Sequence, residues 1–220
     1  MTSLRVIETI PKERGWSDSW WRLMRPRHPM IDSHGSPVGG VILPIIKRVP
    51  PSGGHGEPRV LHASDGNNAA LAHEVEGYAV DMGHTVEHVS LNAYDFPVYT
   101  VAHEKATPVL EGLVELIEVM DRGDAWFVFA PEYNGSYPPV LNNAIAWLSR
   151  EGDDFRRLFR DRTVALGTHS GGGGQHVIMA MRMQFSFLGC IVLGRSLVTN
   201  KNKAANPETI NAMLNAMTKE

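Results

Sequence analysis

Three stretches of the chain combine residue types in a way that ordinary connections do not. The first is His62-Ala63-Ser64-Asp65-Gly66-Asn67-Asn68, where small polar residues run into a helical pattern. A turn of this kind presents free backbone N–H groups and the positive end of a helix dipole, which suit a phosphate. No Gly-Lys-Ser/Thr follows, so it is not a Walker-type loop. The second is Ala130-Pro131-Glu132-Tyr133-Asn134-Gly135-Ser136-Tyr137-Pro138-Pro139. Its backbone groups, stiffened by proline and set beside a Tyr and an Asn, suit a flat aromatic ligand with a polar edge. The third is Gly167-Thr168-His169-Ser170-Gly171-Gly172-Gly173-Gly174. Consecutive glycines let a main chain approach a ligand closely and aim several amides at one point.

Other chemistries fit poorly. His84 and His88 stand four apart, but the pattern starts a strand at Thr85, so the two do not share a helix face. With no Cys–His set at ligand spacing, no metal is expected. Ser170 lies in His-Ser-Gly-Gly rather than Gly-x-Ser-x-Gly, which argues against a serine hydrolase. The net charge of −3 offers no large basic face, which argues against nucleic acid as the main partner. Cys190, the single cysteine, sits in the apolar run Cys190-Ile191-Val192-Leu193. It reads as a small buried hydrophobe, and one cysteine forms no intrachain disulfide framework. The start of the chain has no secretory pattern, and Val41–Ile46 is too short an apolar run to span a bilayer. A soluble, cytoplasmic protein is the expectation.

The elements that must position these loops follow from periodicity. Short apolar runs at Val60–Ala63, Val86–Ser90, Trp126–Ala130, Thr163–Gly167 and Cys190–Leu193 read as strands. Between and after them, apolar residues recur at helical spacing. The stripes are Leu71, Val75, Tyr78 and Met82; Leu110, Leu113, Val114 and Ile117; Leu141, Ala144, Ile145 and Leu148; Val177, Ile178, Met181 and Phe185; and Ile210, Met213, Leu214 and Met217. Thr107-Pro108 and Asn206-Pro207 read as helix starts, a capping side chain before proline at the first helical position. Five βα units predict an α/β three-layer sandwich. Its five-stranded parallel sheet has helices on both faces and the flavodoxin-like order 2-1-3-4-5. In such a sheet, ligands bind beyond the carboxyl ends of the strands, where all three loops fall.

The composition shifts near Arg59. Residues 1–57 hold Trp16, Trp20 and Trp21 and end near the hinge-like Pro50-Pro51-Ser52-Gly53-Gly54. They read as an irregular N-terminal arm, with a short strand within Thr2–Ile10, helical turns within Ser17–Met24, and apolar groups that dock on this subunit or a neighbour. Residues 58–220 form the α/β domain.

The run Pro131-Glu132-Tyr133-Asn134-Gly135-Ser136, followed by Pro138 and by Leu141-Asn142-Asn143-Ala144-Ile145-Ala146-Trp147, resembles the signature of the NADPH-dependent FMN reductases. That flavodoxin-like family includes quinone, azo-dye and chromate reductases. Asp95-Phe96-Pro97-Val98-Tyr99 and the Ser-Gly-Gly stretch at Ser170 are supporting similarities. The resemblance extends from Arg59 to about Gly194 and leaves residues 1–58 unmatched. It implies that Ser64 and Asn68 contact the FMN phosphate, and that Pro131, Glu132, Tyr133, Asn134, Gly135 and Ser136 run along the ribityl chain and ring. It also implies that Thr168, Ser170, Gly171 and Gly172 meet the pyrimidine edge, while Tyr99 and Tyr137 edge the open substrate face. Hydride would pass from NADPH or NADH to FMN and on to a small acceptor such as a quinone or free flavin, with no side chain acting as a catalytic acid or base. A homodimer or homotetramer, without nucleic acid or membrane as partner, is the implied assembly.

One departure stands out. The family's first loop is usually longer and carries an Arg and a second Ser; here Gly66 occupies the second serine's place and no Arg is present. A hydrogen bond to a charged group contributes roughly 1.5–3 kcal/mol, so this loop would hold phosphate more weakly unless His62, Arg22 or Arg25 compensates. The departure keeps a competing expectation alive, a non-catalytic flavodoxin-like flavin carrier, sensor or interaction module.

Overall fold

The computed structural model describes residues 30–31, 37–38, 58–107, 110, 112–150 and 152–218. The chain divides into two units, Met1–Ile45 and Ile46–Glu220. In the first, Met30–Ile31 pairs antiparallel with Pro37–Val38. The elements expected within Thr2–Ile10 and Ser17–Met24, together with Arg22, Arg25 and the three arm tryptophans, lie outside the described residues.

The second unit is built on five strands: β1 (Pro58–His62), β2 (Glu87–Ser90), β3 (Ala125–Phe129), β4 (Thr163–His169) and β5 (Ile191–Thr199). All neighbours are parallel, in the order β2-β1-β3-β4-β5, which is the expected 2-1-3-4-5 arrangement. Central strands β1 and β3 are buried along their whole length, which explains why β3 reads as an unbroken apolar run rather than an alternating one, while β1 buries the polar Arg59 and His62. The helices are α1 (Asn67–Asp81), the short α2 (Val101–Ala106), α3 (Leu113–Arg122), α4 (Pro139–Leu148), α5 (Gln175–Phe187) and α6 (Pro207–Met217).

Each face of the sheet has its own core. On one, Val60, Phe127, Phe129 and Ala165 pack with Leu71 and Val75 of α1 and Ile210, Met213 and Leu214 of α6. On the other, Leu61, Trp126, Val128 and Leu166 meet Leu116 and Ile117 of α3, Leu141 and Ile145 of α4, and Val177 and Met181 of α5. Arg59 is buried at 1% exposure, yet it forms an ion pair with Glu87 at 3.3 Å and donates to the Val119 carbonyl at 3.2 Å. Its stem passes Gly123 so closely that a Cβ there would stand 2.2 Å from Arg59 Cγ, so glycine is required at that turn.

Three expectations need correction. β5 does not end at Leu193 but continues to Thr199, with a register shift against β4 between Val164 and Leu166. The polar Gly194-Arg195-Ser196 breaks the apolar run because β5 is an edge strand that is exposed along much of its length. Thr107 does not open a helix: its N–H closes α2 onto the His103 carbonyl at 2.9 Å. Helix α3 starts instead at Leu113 behind Gly112, so Leu110 precedes it, and Leu116 and Met120 share its buried face where Val114 was expected. Finally, strand boundaries move: β1 is Pro58–His62 rather than Val60–Ala63, β2 starts at Glu87 rather than Val86, β3 is Ala125–Phe129 rather than Trp126–Ala130, and β4 runs on to His169. Asn206 does cap α6 as expected, accepting from the Thr209 N–H at 2.9 Å with Pro207 at the first position. Cys190 is buried as expected, donates its thiol to the Phe159 carbonyl at 3.2 Å, and is pushed up to about 12 by burial.

Candidate functional site

Because the strands are parallel, the chain leaves β1, β3 and β4 at the same edge of the sheet, and the three unusual loops gather there. Short bonds lock them together. Ala63 N–H donates to the Phe129 carbonyl at 3.0 Å, Ala130 N–H to the Gly167 carbonyl at 3.2 Å, and Thr168 Oγ1 to the Ala130 carbonyl at 2.7 Å. Asn68 joins the first loop to the third: its Nδ2 donates to the His169 carbonyl at 3.0 Å and its Oδ1 accepts from the His169 N–H at 2.8 Å. Asn68 is 3% exposed and pairs with the N–H and the carbonyl of one residue as a neighbouring strand would.

The first loop ends on the uncapped start of a long helix. Gly66, at φ +84°, is the N-cap of the 15-residue α1, with no side-chain cap and no acidic residue in the first turn. Among the described residues, the backbone N–H groups from Ser64 to Ala69 donate to no protein acceptor; the first helical bond is from Ala70 to the Gly66 carbonyl. These unclaimed amides and the dipole behind them fit a phosphate. The His62 imidazole holds the loop from beneath, its Nδ1–H donating to the Ser64 carbonyl at 2.8 Å. That bond was not foreseen, and it makes His62 a support for the loop.

The second loop folds back as a tight turn. Tyr133 and Ser136 exchange N–H···O bonds of 2.8 and 3.0 Å, with Asn134 at φ 52° and Gly135 at φ 76°, which is the type I′ geometry that Asn-Gly favours. Glu132 points elsewhere than its neighbours: its Oε2 accepts from the Val177 N–H at 3.3 Å, and its Oε1 lies 3.7 Å from His176 Nδ1. It therefore caps the start of α5 with its carboxylate. Pro131 continues from the buried end of β3, the Tyr133 ring is half exposed, and Tyr137 is partly buried against the apolar layer. Burial raises the Tyr137 hydroxyl above its ordinary value.

In the third loop, the donors divide between structure and ligand. Thr168 is fully buried and spends its hydroxyl on Ala130, while Ser170 N–H donates to the Thr199 carbonyl at 3.1 Å. Ser170 Oγ accepts from Gly172 N–H at 3.3 Å. Gly171, Gly173 and Gly174 N–H have no acceptor among the described residues. Gly172 lies so near Glu132 that a Cβ would stand 3.2 Å from Oε1, and Gly174 combines φ +73° with a Cβ position 2.6 Å from Thr168 Cγ2.

Tyr99 lies on a fourth segment, after β2, clamped by α4. Asn143 Oδ1 accepts from Tyr99 N–H at 2.8 Å while its Nδ2 donates to the Phe96 and Pro97 carbonyls, and Trp147 Nε1 donates to Pro97 at 2.8 Å. The Tyr99 ring meets Trp147 edge-on, and its hydroxyl donates to Glu104, which is paired with Arg150 at 2.8 Å. The clamp residues Asn143 and Trp147 are four apart on one helix face, a signal present in the sequence but without a target until the loop is placed.

A parallel five-stranded sheet of this order, with an anion-ready loop after β1 and amide-lined turns after β3 and β4, defines a flavodoxin-like domain. Residues 55–204 match the family model of the NADPH-dependent FMN reductases, and the chain belongs to that family. Membership makes it an FMN-dependent oxidoreductase, with FMN as cofactor and a reduced nicotinamide as co-substrate. Among solved structures it is similar to FerB, a flavoenzyme NAD(P)H:(acceptor) oxidoreductase from Paracoccus denitrificans, with a TM-score of 0.58 at 19% identity over 74% of this chain and 93% of that one. An oxidoreductase from Corynebacterium diphtheriae gives 0.58 at 12% identity, covering 75% and 96%. Rubredoxin oxygen:oxidoreductase from Desulfovibrio gigas gives 0.54 at 11%, covering 73% of this chain but 34% of that longer one. At these identities the likeness concerns the fold. No curated protein sequence matches the chain. No described helix is long and apolar enough to cross a membrane.

Proposed function

We propose that the protein is an NAD(P)H-dependent FMN reductase that delivers electrons to a small acceptor such as a quinone or free flavin. FMN, when bound, supplies the redox chemistry, accepting hydride from the nicotinamide and passing it on. The observation that carries the proposal is the row of unclaimed amides at Ser64–Ala69, locked by Asn68 to the loop that offers Gly171 N–H. In this reading Ser64 and the α1 amides take the phosphate, and Asn68 fixes their distance from the ring site. The main chain of Pro131–Ser136 lines the ring, with Tyr133 as its aromatic neighbour, and Glu132 acts by anchoring that loop to α5. Gly171 N–H faces the pyrimidine edge, preorganised for the negative charge that builds there on reduction. Thr168, Ser170 and Gly172 shape the turn, and Tyr137 and Tyr99 border the open face.

The absence of a basic side chain in the described first loop, which carries Asp65, favours the second reading of a flavin carrier or sensor. Anaerobic titration of the FMN-loaded protein with NADPH and then NADH separates the two. Bleaching of the flavin absorbance, followed by reoxidation on adding a quinone, supports the reductase; flavin that stays oxidised supports the carrier.

We also propose a homodimer. Met179, Met183 and Phe187 follow each other at four-residue spacing on α5 and are 63%, 72% and 65% exposed, with Ile191 and Phe155 also exposed. A contiguous apolar stripe of this kind suits a second copy of the chain. The buried, free Cys190 is consistent with a cytoplasmic location.

A further inference from the structure

On the side of the sheet covered by α1, a cluster of imidazoles on α1 and β2 adjoins the first loop through His62. His73 and Glu76 are three apart on α1 and therefore share a face. His88 lies on β2 opposite Val60 of β1, whose side chain packs under α1, so the parallel register turns His88 toward the same helix. The result is a convergence on one atom. Glu76 Oε2 is 2.8 Å from His88 Nδ1 and 3.1 Å from His73 Nδ1, and the three ligand atoms all lie within 4.8 Å of one another. The His73 and His88 rings stack at 4.0 Å with 9° between their planes, so the exposed His73 ring has to turn for one ion to lie in both ring planes. His62 adds a third imidazole 4.9 Å from the His88 ring.

We propose that His73, Glu76 and His88 form a binding site for a borderline divalent cation of the Zn2+ type. Two imidazole nitrogens and a carboxylate oxygen are the donor set that such ions prefer, and three protein ligands leave a fourth position to water. For bonds of about 2.1 Å, tetrahedral ligands stand about 3.4 Å apart, so separations of 2.8 and 3.1 Å need to open by only a few tenths of an ångström. Rotation of the Glu76 side chain, 29% exposed, provides that movement. The ligands also differ usefully in mobility. His88 is 16% exposed and gives a fixed anchor, while His73, 64% exposed, can adjust and keeps the entry open to solvent. His88 Nε2 is buried without a partner, so Nδ1 is the atom through which this ring meets polar groups. The site does not depend on flavin and stands or falls independently of the proposed activity.

The test is equilibrium dialysis of the full chain against Zn2+ after treatment with a chelator, repeated with Co2+ to read coordination geometry from visible absorption. The expected result is uptake of Zn2+ by the parent chain, with affinity reduced at least about 10-fold in His73→Gln, in Glu76→Gln and in His88→Gln but unchanged in His84→Gln. Because His73 is exposed, His73→Gln should leave the far-UV dichroism of the parent intact, so a lost site is not a lost fold. Uptake that is equal in His73→Gln, Glu76→Gln and the parent overturns the proposal, as does a parent chain that takes up no Zn2+.

Discussion

Replacing Asn68 with Ala probes the joint between the phosphate loop and the ring loop. The side chain makes two hydrogen bonds to the backbone of His169, of 2.8 and 3.0 Å, while 3% exposed. Truncation leaves the His169 N–H and carbonyl without their partners. Each orphaned group costs about 1–3 kcal/mol, and partial access of water to His169 puts the sum at roughly 2–4 kcal/mol. For a domain of this size the melting temperature should fall by roughly 5–15 °C. Asn68→Asp refines the test. It keeps the acceptor for His169 N–H, loses the donor, and places a negative charge in the first turn of α1, where the amides of Ser64–Ala69 are expected to meet the phosphate. The charge favours the empty helix by about 0.3–1 kcal/mol but repels the anion. The new carboxylate oxygen also faces the His169 carbonyl oxygen in a buried position, so Asn68→Asp should gain no stability over Asn68→Ala, and it should bind FMN at least about 10-fold more weakly than the parent, equivalent to about 1.4 kcal/mol. Urea denaturation of the apoproteins and quenching of FMN fluorescence measure the two quantities. An Asn68→Ala variant within about 0.5 kcal/mol of the parent, or an Asn68→Asp variant with unchanged FMN affinity, would refute the reasoning.

Three further outcomes follow from particular contacts. Cys190, buried and with its thiol pushed up to about 12, stays protonated across the neutral and mildly alkaline range; thiol reagents at pH 8 should leave the native protein unmodified and label it only in denaturant. Asn206→Ala removes the cap of α6 and should cost about 1 kcal/mol in chemical denaturation without changing FMN affinity. Met183→Glu puts a charge at the centre of the exposed α5 stripe; sedimentation should show a dimer in the parent and a monomer of unchanged dichroism in the variant.

The strands β3 and β4 were legible in the sequence because each is an apolar run closed by turn residues, and their buried positions demand such runs. The second half of β5 was not, since an edge strand tolerates Gly194, Arg195 and Ser196, which carry no period-two signal. Thr107-Pro108 misled because a threonine that caps one helix and a threonine that closes another have the same local sequence. The loops of the candidate site could be located from their glycines and prolines, but not the direction of their side chains. Asn68 and Glu132 carry ligand-like chemistry, yet they bond to His169 and Val177, partners that only the placement of α1 and α5 identifies. The imidazole cluster was invisible for the same reason: the sequence offered only the four-residue spacing of His84 and His88, which the strand separates, whereas the fold pairs His88 with His73 and Glu76 across an element boundary.

The central claim concerns where main-chain amides are left open, and a crystal structure of the protein soaked with FMN tests it most directly. The phosphate should rest on the N–H groups between Ser64 and Ala69, with the ring between the Pro131–Ser136 turn and Gly171 N–H. Density for FMN at any other place, or none in that cleft at saturating ligand, would contradict the account.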